Sequence, residues 1–302
     1  METRTLRYFL AIAREENMTA AANILHVSQS ALSRQMTELE ASLGKQLFIR
    51  TNRQTLLTED GMRLRQRAEE IIDLMEKTEM EMMSSSEEIT GEIYIGAGET
   101  RAFDLLSKAM YQTKKKYPAI TFSVYSANAL DVTEKLEHGS LDFGLLFEPV
   151  NKERYHYLDI PYDDIVGLLV NRADPLAEKG FITEEELTEI PILVSSRFSP
   201  DSVLSHVSKK TRNALKIQGS YNLIYNASLM VRQNLGAALA IDGLIPADEK
   251  DPFAFLPLRP ETTMQTVLVW KKYHLLSKAS EAFLKELRAV IKEETEKASP
   301  SL

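Results

Sequence analysis

The chain has 302 residues, a 44% hydrophobic share, a net charge of -8 and no cysteine. That length supports two or three domains with substantial cores, and the missing thiols exclude disulfides, thiolate metal sites and cysteine nucleophiles. The N-terminus lacks an apolar core of secretory type and no apolar run approaches a membrane span, so a cytoplasmic protein without a membrane partner is expected.

In chain order, Thr19, Ala20, Ala21, Ala22 and Leu25 read as a short helix, followed by a turn through His26, Val27, Ser28 and Gln29. A serine hydroxyl accepts a bond from an otherwise unpaired first-turn amide, so Ser28 starts a second helix. Leu32, Met36, Leu39 and Leu43 recur at helical spacing and define a packing face. The opposite face carries Ser30, Ser33, Arg34 and Thr37, with Gln29 beside them at the end where a recognition helix meets base edges. Short hydroxyls approach phosphates closely, and an arginine gripping guanine in a bidentate way contributes about 1–3 kcal/mol of discrimination. Gly44 suits a left-handed helix end. From Leu47 to Leu57 the pattern predicts two short strands turning near Thr51 to Gln54, with Arg50 and Arg53 flanking the tip, placed for phosphates or the minor groove. Helix, turn, helix and hairpin in this order describe a winged helix-turn-helix. Alone, the polar face reads equally well as a solvated helix surface.

Residues 1–60 hold seven Lys/Arg and seven Asp/Glu, so the whole deficit of -8 falls on residues 61–302. A neutral head with clustered Arg34, Arg50 and Arg53 can still bind DNA through local potential despite an acidic body. Beyond it, Leu57, Gly61, Leu64, Ala68, Ile71, Met75, Thr78 and Met82 fall at alternating steps of four and three. Such a seam fits a coiled coil with a second copy or an amphipathic helix packed on its own chain. Ser84, Ser85, Ser86 and Gly91 mark a hinge.

From Glu92 short apolar strands alternate with helices, the pattern of an α/β fold. Strands are predicted at 93–95, 120–125, 143–147, 165–170, 192–194 and 267–270, with a further apolar segment at 237–241. Helices are predicted at 102–117, 132–138, 229–234 and 279–294. The tail from Lys297 to Leu302 is expected to fray.

Phe9, Thr19, Ala20, Ala21, Leu25, Ser28, Gln29, Ala31, Leu32, Ser33, Leu39, Glu40, Leu43, Gly44, Leu47, Phe48, Arg50, Leu57, Thr58 and Gly61 together give a dense pattern at fixed spacing. Through them the chain resembles the LysR-type transcriptional regulators, with Ser30 where many members carry proline. Weaker landmarks follow at Gly139, Leu141, Asp142, Phe143, Gly144, Asp174, Pro175, Leu176, Gly236 and Ala240. Where relatives often have a glycine-rich turn ending in proline, this chain has Ala240, Ile241 and Asp242. The resemblance implies a winged helix-turn-helix over 1–58, a dimerising linker helix and hinge over 59–90, and an effector-binding domain over 91–302. That last domain resembles a periplasmic binding protein, with one α/β lobe of about 92–161 and 268–295 and a second of about 162–267. Double-stranded promoter DNA, a small-molecule inducer, a homodimer through the linker helix, a homotetramer and RNA polymerase are the implied partners.

Ligands in such folds bind at carboxyl ends of strands, beside helix N-termini that favour anions. The candidates by position are Gly98, Glu99, Thr100 and Arg101, then Ser126 and Asn128, then Ser195 and Ser196, with Tyr221 and Asn222 as further additions. Arg101 suits a carboxylate, so an organic acid or amino-acid-like metabolite is expected and no cofactor or metal. Glu99 and Asp242 fit a cationic or neutral compound equally well, and each residue alone also fits a capping or surface role. Two rival readings remain: a DNA-binding regulator switched by a protein partner, and an enzyme on a two-lobed fold. For the enzyme, Gly96, Ala97 and Gly98 hint at nucleotide binding, but Arg101 stands in place of a third glycine. His26, His138, His156, His206 and His274 have no metal-ligand spacing.

Overall fold

Two compact units, Met1–Ser85 and Ser86–Leu302, make up the chain in a computed structural model. The structure describes residues 1–51, 54–83, 89–196, 203–204, 207–273 and 275–298. The predicted hinge serines, His206, His274 and the last four residues of the tail lie outside these.

In the first unit, α1 (Thr3–Glu15) buries Leu6, Phe9 and Ile12, three residues apart on one stripe. Asn17 then caps α2 (Met18–Ile24) by accepting the N–H groups of Thr19 and Ala20. α3 (Gln29–Leu43) starts at Ser28, as predicted, and stops at Gly44, whose φ of 63° is the left-handed conformation glycine adopts without strain. β1 (Phe48–Arg50) and β2 (Thr55–Leu57) pair antiparallel, with Phe48 opposite Leu57 and Arg50 opposite Thr55. α4 (Glu59–Met83) follows. The core gathers Phe9, Ile12, Leu32, Met36, Leu39, Leu47 and Phe48, with the Phe9 and Phe48 rings 5.3 Å apart.

Two sequence expectations change here. Leu43 is 41% exposed, because α3 ends just where its last turn passes beyond the packing face. The predicted seam is also divided. Ala68 joins the core of the head, and so does Ile72, one position off the seam; Gly61 is buried as well. Ile71 and Leu74 remain exposed. The first half of α4 is thus an amphipathic helix packed on its own chain, and an apolar stripe is left open only further along.

The second unit is an α/β assembly built from β3 (Gly91–Ala97), α5 (Phe103–Lys116), β4 (Ile120–Ser126), α6 (Ala129–Glu137), β5 (Phe143–Phe147), β6 (Tyr155–Asn171), β7 (Ile182–Thr183), α7 (Glu184–Leu187), β8 (Pro191–Ser195), α8 (Lys209–Asn213), β9 (Lys216–Tyr221), α9 (Ile224–Arg232), β10 (Ala237–Ile241), β11 (Phe253–Arg259), β12 (Thr263–Lys271) and α10 (Lys278–Ala298). The strand order β4-β3-β5-β12-β6-β10-β8-β9 runs through β6, and β11 also pairs with β6. The 17 residues of β6 serve both halves: Tyr155 to Ile165 pair with β12, while Val166 to Leu169 pair with β10. Parallel pairs flank each side, β3 with β4 and β5, and β8 with β9 and β10.

Separate apolar cores form on the two sides. One collects Ile93, Ile95, Leu106, Phe143, Leu268, Phe283 and Leu287, the other Val166, Leu168, Ile192, Val194, Leu256 and Leu258. Two lobes therefore meet at β6 and at the β11–β12 connection, where the Val166 N–H donates to the Thr262 carbonyl at 2.8 Å. Among the described residues no helix is long and apolar enough to cross a membrane.

Candidate functional site

The outer face of α3 presents Gln29, Ser30, Arg34 and Thr37 to solvent, with Ser33 half-buried. Ser28 is exposed too, and its Oγ accepts the Ala31 N–H at 3.2 Å and lies 3.2 Å from the Ser30 Oγ. The Thr37 hydroxyl donates to the Ser33 carbonyl at 3.0 Å, which leaves its oxygen to accept. The Arg34 guanidinium forms no ion pair or hydrogen bond among the described residues. Arg50 has its backbone in β1, while its side chain and the whole of Arg53 lie outside the described residues. Thr51 and Gln54 close the hairpin tip, the Thr51 N–H and hydroxyl both donating to the Gln54 carbonyl.

A residue that the pattern named without a role holds these parts together. The Glu40 carboxylate accepts the N–H groups of Leu47 at 2.8 Å and Phe48 at 3.2 Å, joining α3 to the first wing strand. On the other side the Thr58 hydroxyl donates to the Gln46 carbonyl at 2.7 Å and accepts the Gly61 N–H at 3.0 Å. A cavity of about 440 Å³ opens between α3 and β1, lined by Thr37, Glu40, Gln46, Phe48 and Ile49. The signal available in the sequence was a glutamate on α3 eight residues before a strand whose entry amides needed an acceptor.

In the second unit the loop from β3 to α5 carries several polar contacts that reach the other lobe. Gly98 is half-exposed. Glu99 Oε2 accepts the N–H of Ile224, the first residue of α9, at 2.8 Å. Thr100 is buried; its hydroxyl donates to Asp164 Oδ2 at 2.6 Å and accepts the Ala102 N–H at 3.0 Å. Arg101 pairs with Asp242 at 2.7 Å and lies 5.1 Å over the Tyr162 ring. Asp242 also accepts the Ile165 N–H at 2.8 Å. The loop of the first lobe is thus tied to the second at two points, Ile224 and Asp242.

Asp164 sits at the crossing of the lobes, fully buried, and its Oδ2 accepts a second bond from Thr266 at 3.0 Å. Burial pushes its carboxyl above the ordinary carboxylate range, against the opposing pull of the Thr100 and Thr266 hydroxyls. The Tyr221 hydroxyl donates to the Leu239 carbonyl at 2.7 Å; burial, with the nearby Glu99 charge adding to it, pushes this hydroxyl up.

The other predicted ligand residues are dispersed. Asn128 caps α6, its Oδ1 accepting the N–H groups of Leu130 and Asp131 and its Nδ2 donating to Asp131. Ser126 is exposed at the end of β4, Ser195 half-buried at the end of β8, and Asn222 exposed before α9. The Ser196 N–H donates to the Tyr221 carbonyl at 2.6 Å. Among the described residues no hydrogen bond joins Ser126 or Asn128 to Ser195, Ser196 or Asn222. An open cavity of about 680 Å³ lies beside the lobe crossing, lined in part by Arg101, Leu105, Lys108, Tyr162 and Leu244. Its second cation, Lys108, bridges Asp104 at 3.1 Å and Glu294 at 3.3 Å.

Comparison with known proteins agrees with both halves. Residues 3–62 match the bacterial regulatory helix-turn-helix protein, lysR family, and residues 86–292 match the LysR substrate binding domain. The chain is 25% identical over 285 residues to the uncharacterized HTH-type transcriptional regulator YfeR of Shigella flexneri, covering 92% of this chain and 91% of that one. It is 27% identical over 277 residues to the Hca operon transcriptional activator HcaR of Escherichia coli, covering 90% and 92%. Full-length CbnR, solved in complex with its target DNA, superposes with a TM-score of 0.72 at 20% identity, covering 96% of this chain and 100% of that one.

Proposed function

The chain belongs to the LysR family of DNA-binding transcriptional regulators, and from that premise we propose that it reads promoter DNA with α3 and the wing under control of a small molecule held in its second unit. Its family and relatives are transcriptional regulators rather than enzymes. The observation that carries the reading is the outer face of α3, where Gln29, Ser30, Arg34 and Thr37 are exposed and the Arg34 guanidinium has no partner among the described residues. An unpaired arginine enters the major groove without first breaking an ion pair. Ser28 and Ser33 complete the face, and Arg50 and Arg53 are assigned to the wing contacts.

We assign residues 1–58 to DNA reading, 59–90 to the linker and 91–302 to effector control. The exposed Ile71, Leu74 and Thr78 of α4 supply a stripe for pairing with a second copy, and a tetramer follows from two such dimers. The effector seat is placed among Gly98, Thr100, Arg101, Ser126, Asn128, Ser195, Ser196 and Asn222. Arg101, the group expected to clamp a carboxylate, is paired with Asp242, so the geometry supports a small molecule in general better than it supports an organic acid. Effector binding that favours one arrangement of the lobes shifts the spacing of heads along the duplex, and with it promoter bending and access of RNA polymerase in the cytoplasm.

The test is a mobility-shift assay on the DNA upstream of the protein's own gene. Arg34→Ala weakens binding by about 1–3 kcal/mol, roughly 5–150-fold, and relaxes preference among sequences. Binding equal to the parent on every sequence rejects the assigned reading face.

A further inference from the structure

We propose that Glu99 is a tethered anion that fills the anion seat at the N-terminus of α9, latches the two lobes together, and so excludes effectors that present a carboxylate there. The inference rests on the effector reading above and deepens it. α9 has nine residues, and Leu223 before it is extended and offers no capping side chain. First-turn amides left in that state are unsatisfied and carry the positive end of the helix dipole. The carboxylate that meets the first of them comes from the opposite lobe: Glu99 Oε2 accepts the Ile224 N–H at 2.8 Å. Its charge also reaches Tyr221, just before α9.

A local cap from the helix's own strand would place no demand on the lobes. Glu99 does, because it follows β3 of the first lobe while Ile224 follows β9 of the second. Two residues on, Arg101 makes the second tie to Asp242, and Gly243 leaves room for it: a Cβ there would lie 2.1 Å from Arg101 Cδ. The loop of the first lobe therefore spends its anion on the helix of the second and its cation on the strand end of the second.

The charge balance points the same way. Glu99 and Asp242 against Arg101 sum to one negative charge, and ionisation of the buried Asp164 only makes the sum more negative. A free carboxylate finds the Ile224 amide occupied, the guanidinium paired with Asp242 and the local potential repulsive. A neutral or cationic effector meets none of these barriers.

The test is chemical rescue on the full chain, by thermal unfolding in sodium acetate against sodium chloride at equal ionic strength, with amide exchange read at Ile224. Glu99→Ala unfolds at a lower temperature and exchanges at Ile224 at least tenfold faster; acetate partly restores both, and chloride neither. Glu99→Gln keeps an acceptor in the seat, so it shows a smaller loss and no response to acetate. The parent is unmoved by acetate, succinate or benzoate. Acetate that stabilises parent and Glu99→Ala equally, or leaves Glu99→Ala unchanged, overturns the proposal. Promoter binding by the parent, measured on the same samples, reports separately on the regulator reading.

Discussion

The Glu40 carboxylate accepts the backbone N–H of Leu47 at 2.8 Å and thereby fixes α3 to the wing. Hydrogen bonds to an ionised group contribute about 1.5–3 kcal/mol, more than neutral ones. Glu40→Ala is expected to destabilise the head by about that amount and to weaken promoter binding, because helix and wing no longer hold one spacing. Glu40→Gln, which keeps an acceptor, loses less of both. Thermal unfolding and a mobility shift on the same variants check the ordering, and an alanine variant as stable as the parent refutes it.

Gly61 gives a second test with an unusual sign. It lies in the first turn of α4, where exchanging glycine for alanine normally favours a helix by about 1 kcal/mol. Here a Cβ would sit 2.2 Å from the Leu47 carbonyl oxygen, a backbone atom that cannot swing aside. Gly61→Ala is therefore expected to lower the unfolding temperature of the head despite its better propensity. A rise in that temperature would show that the helix and wing can separate freely.

The head was legible because its signals are local. Ser28, Gly44 and the hairpin each act within a few residues, so caps, turn and strands follow from chain order. The second unit was less so. β9 reads as Lys216, Ile217, Gln218, Gly219, Ser220 and Tyr221, mostly exposed and with no apolar alternation, and is a strand only because β8 lies beside it. β11 contains Pro257, which discourages a strand reading, yet it pairs with β6 from Phe253 to Pro257. Of the 17 residues of β6, the sequence announced only the apolar 165–170, since the half through Asp159, Asp163 and Asp164 carries charge at the lobe crossing. The helix predicted at 229–234 begins at Ile224 and stops at Arg232, short of Asn234 in a left-handed conformation. The candidate ligand residues show the same limit. Their positions after strands could be read from chain order, but Thr100, Arg101 and Asn128 are committed to Asp164, Asp242 and a helix cap, and such partners lie up to 141 residues away.

The divided face of α4 makes the proposed dimer testable without disturbing the head. Ala68 and Ile72 belong to the core of the head, so changes there would unfold it. Ile71 and Leu74 are 42% and 38% exposed and contribute little to that core. Replacing both with glutamate places charge where a second helix would pack, at small cost to the monomer. The doubly substituted protein is expected to sediment as a monomer with unchanged helicity, and to bind a two-site promoter about tenfold or more weakly, because linked heads gain from effective concentration. A dimer that persists places the interface elsewhere.

Asp164 carries the pH prediction. Burial holds its carboxyl above the ordinary value of 3.8, so the folded chain binds a proton there more readily than the unfolded chain does. Between those two values the folded state holds more protons, and stability from this group falls as pH rises, then stays level once both states are ionised. Asp164→Asn removes the ionisation while keeping an oxygen for the Thr100 and Thr266 hydroxyls. The parent is therefore expected to lose unfolding temperature relative to Asp164→Asn as pH climbs from about 4, with the difference constant at higher pH. Scans of both proteins across that range check the slope. A difference that grows toward acid pH would mean that the two threonine hydroxyls, and not burial, set the ionisation of Asp164.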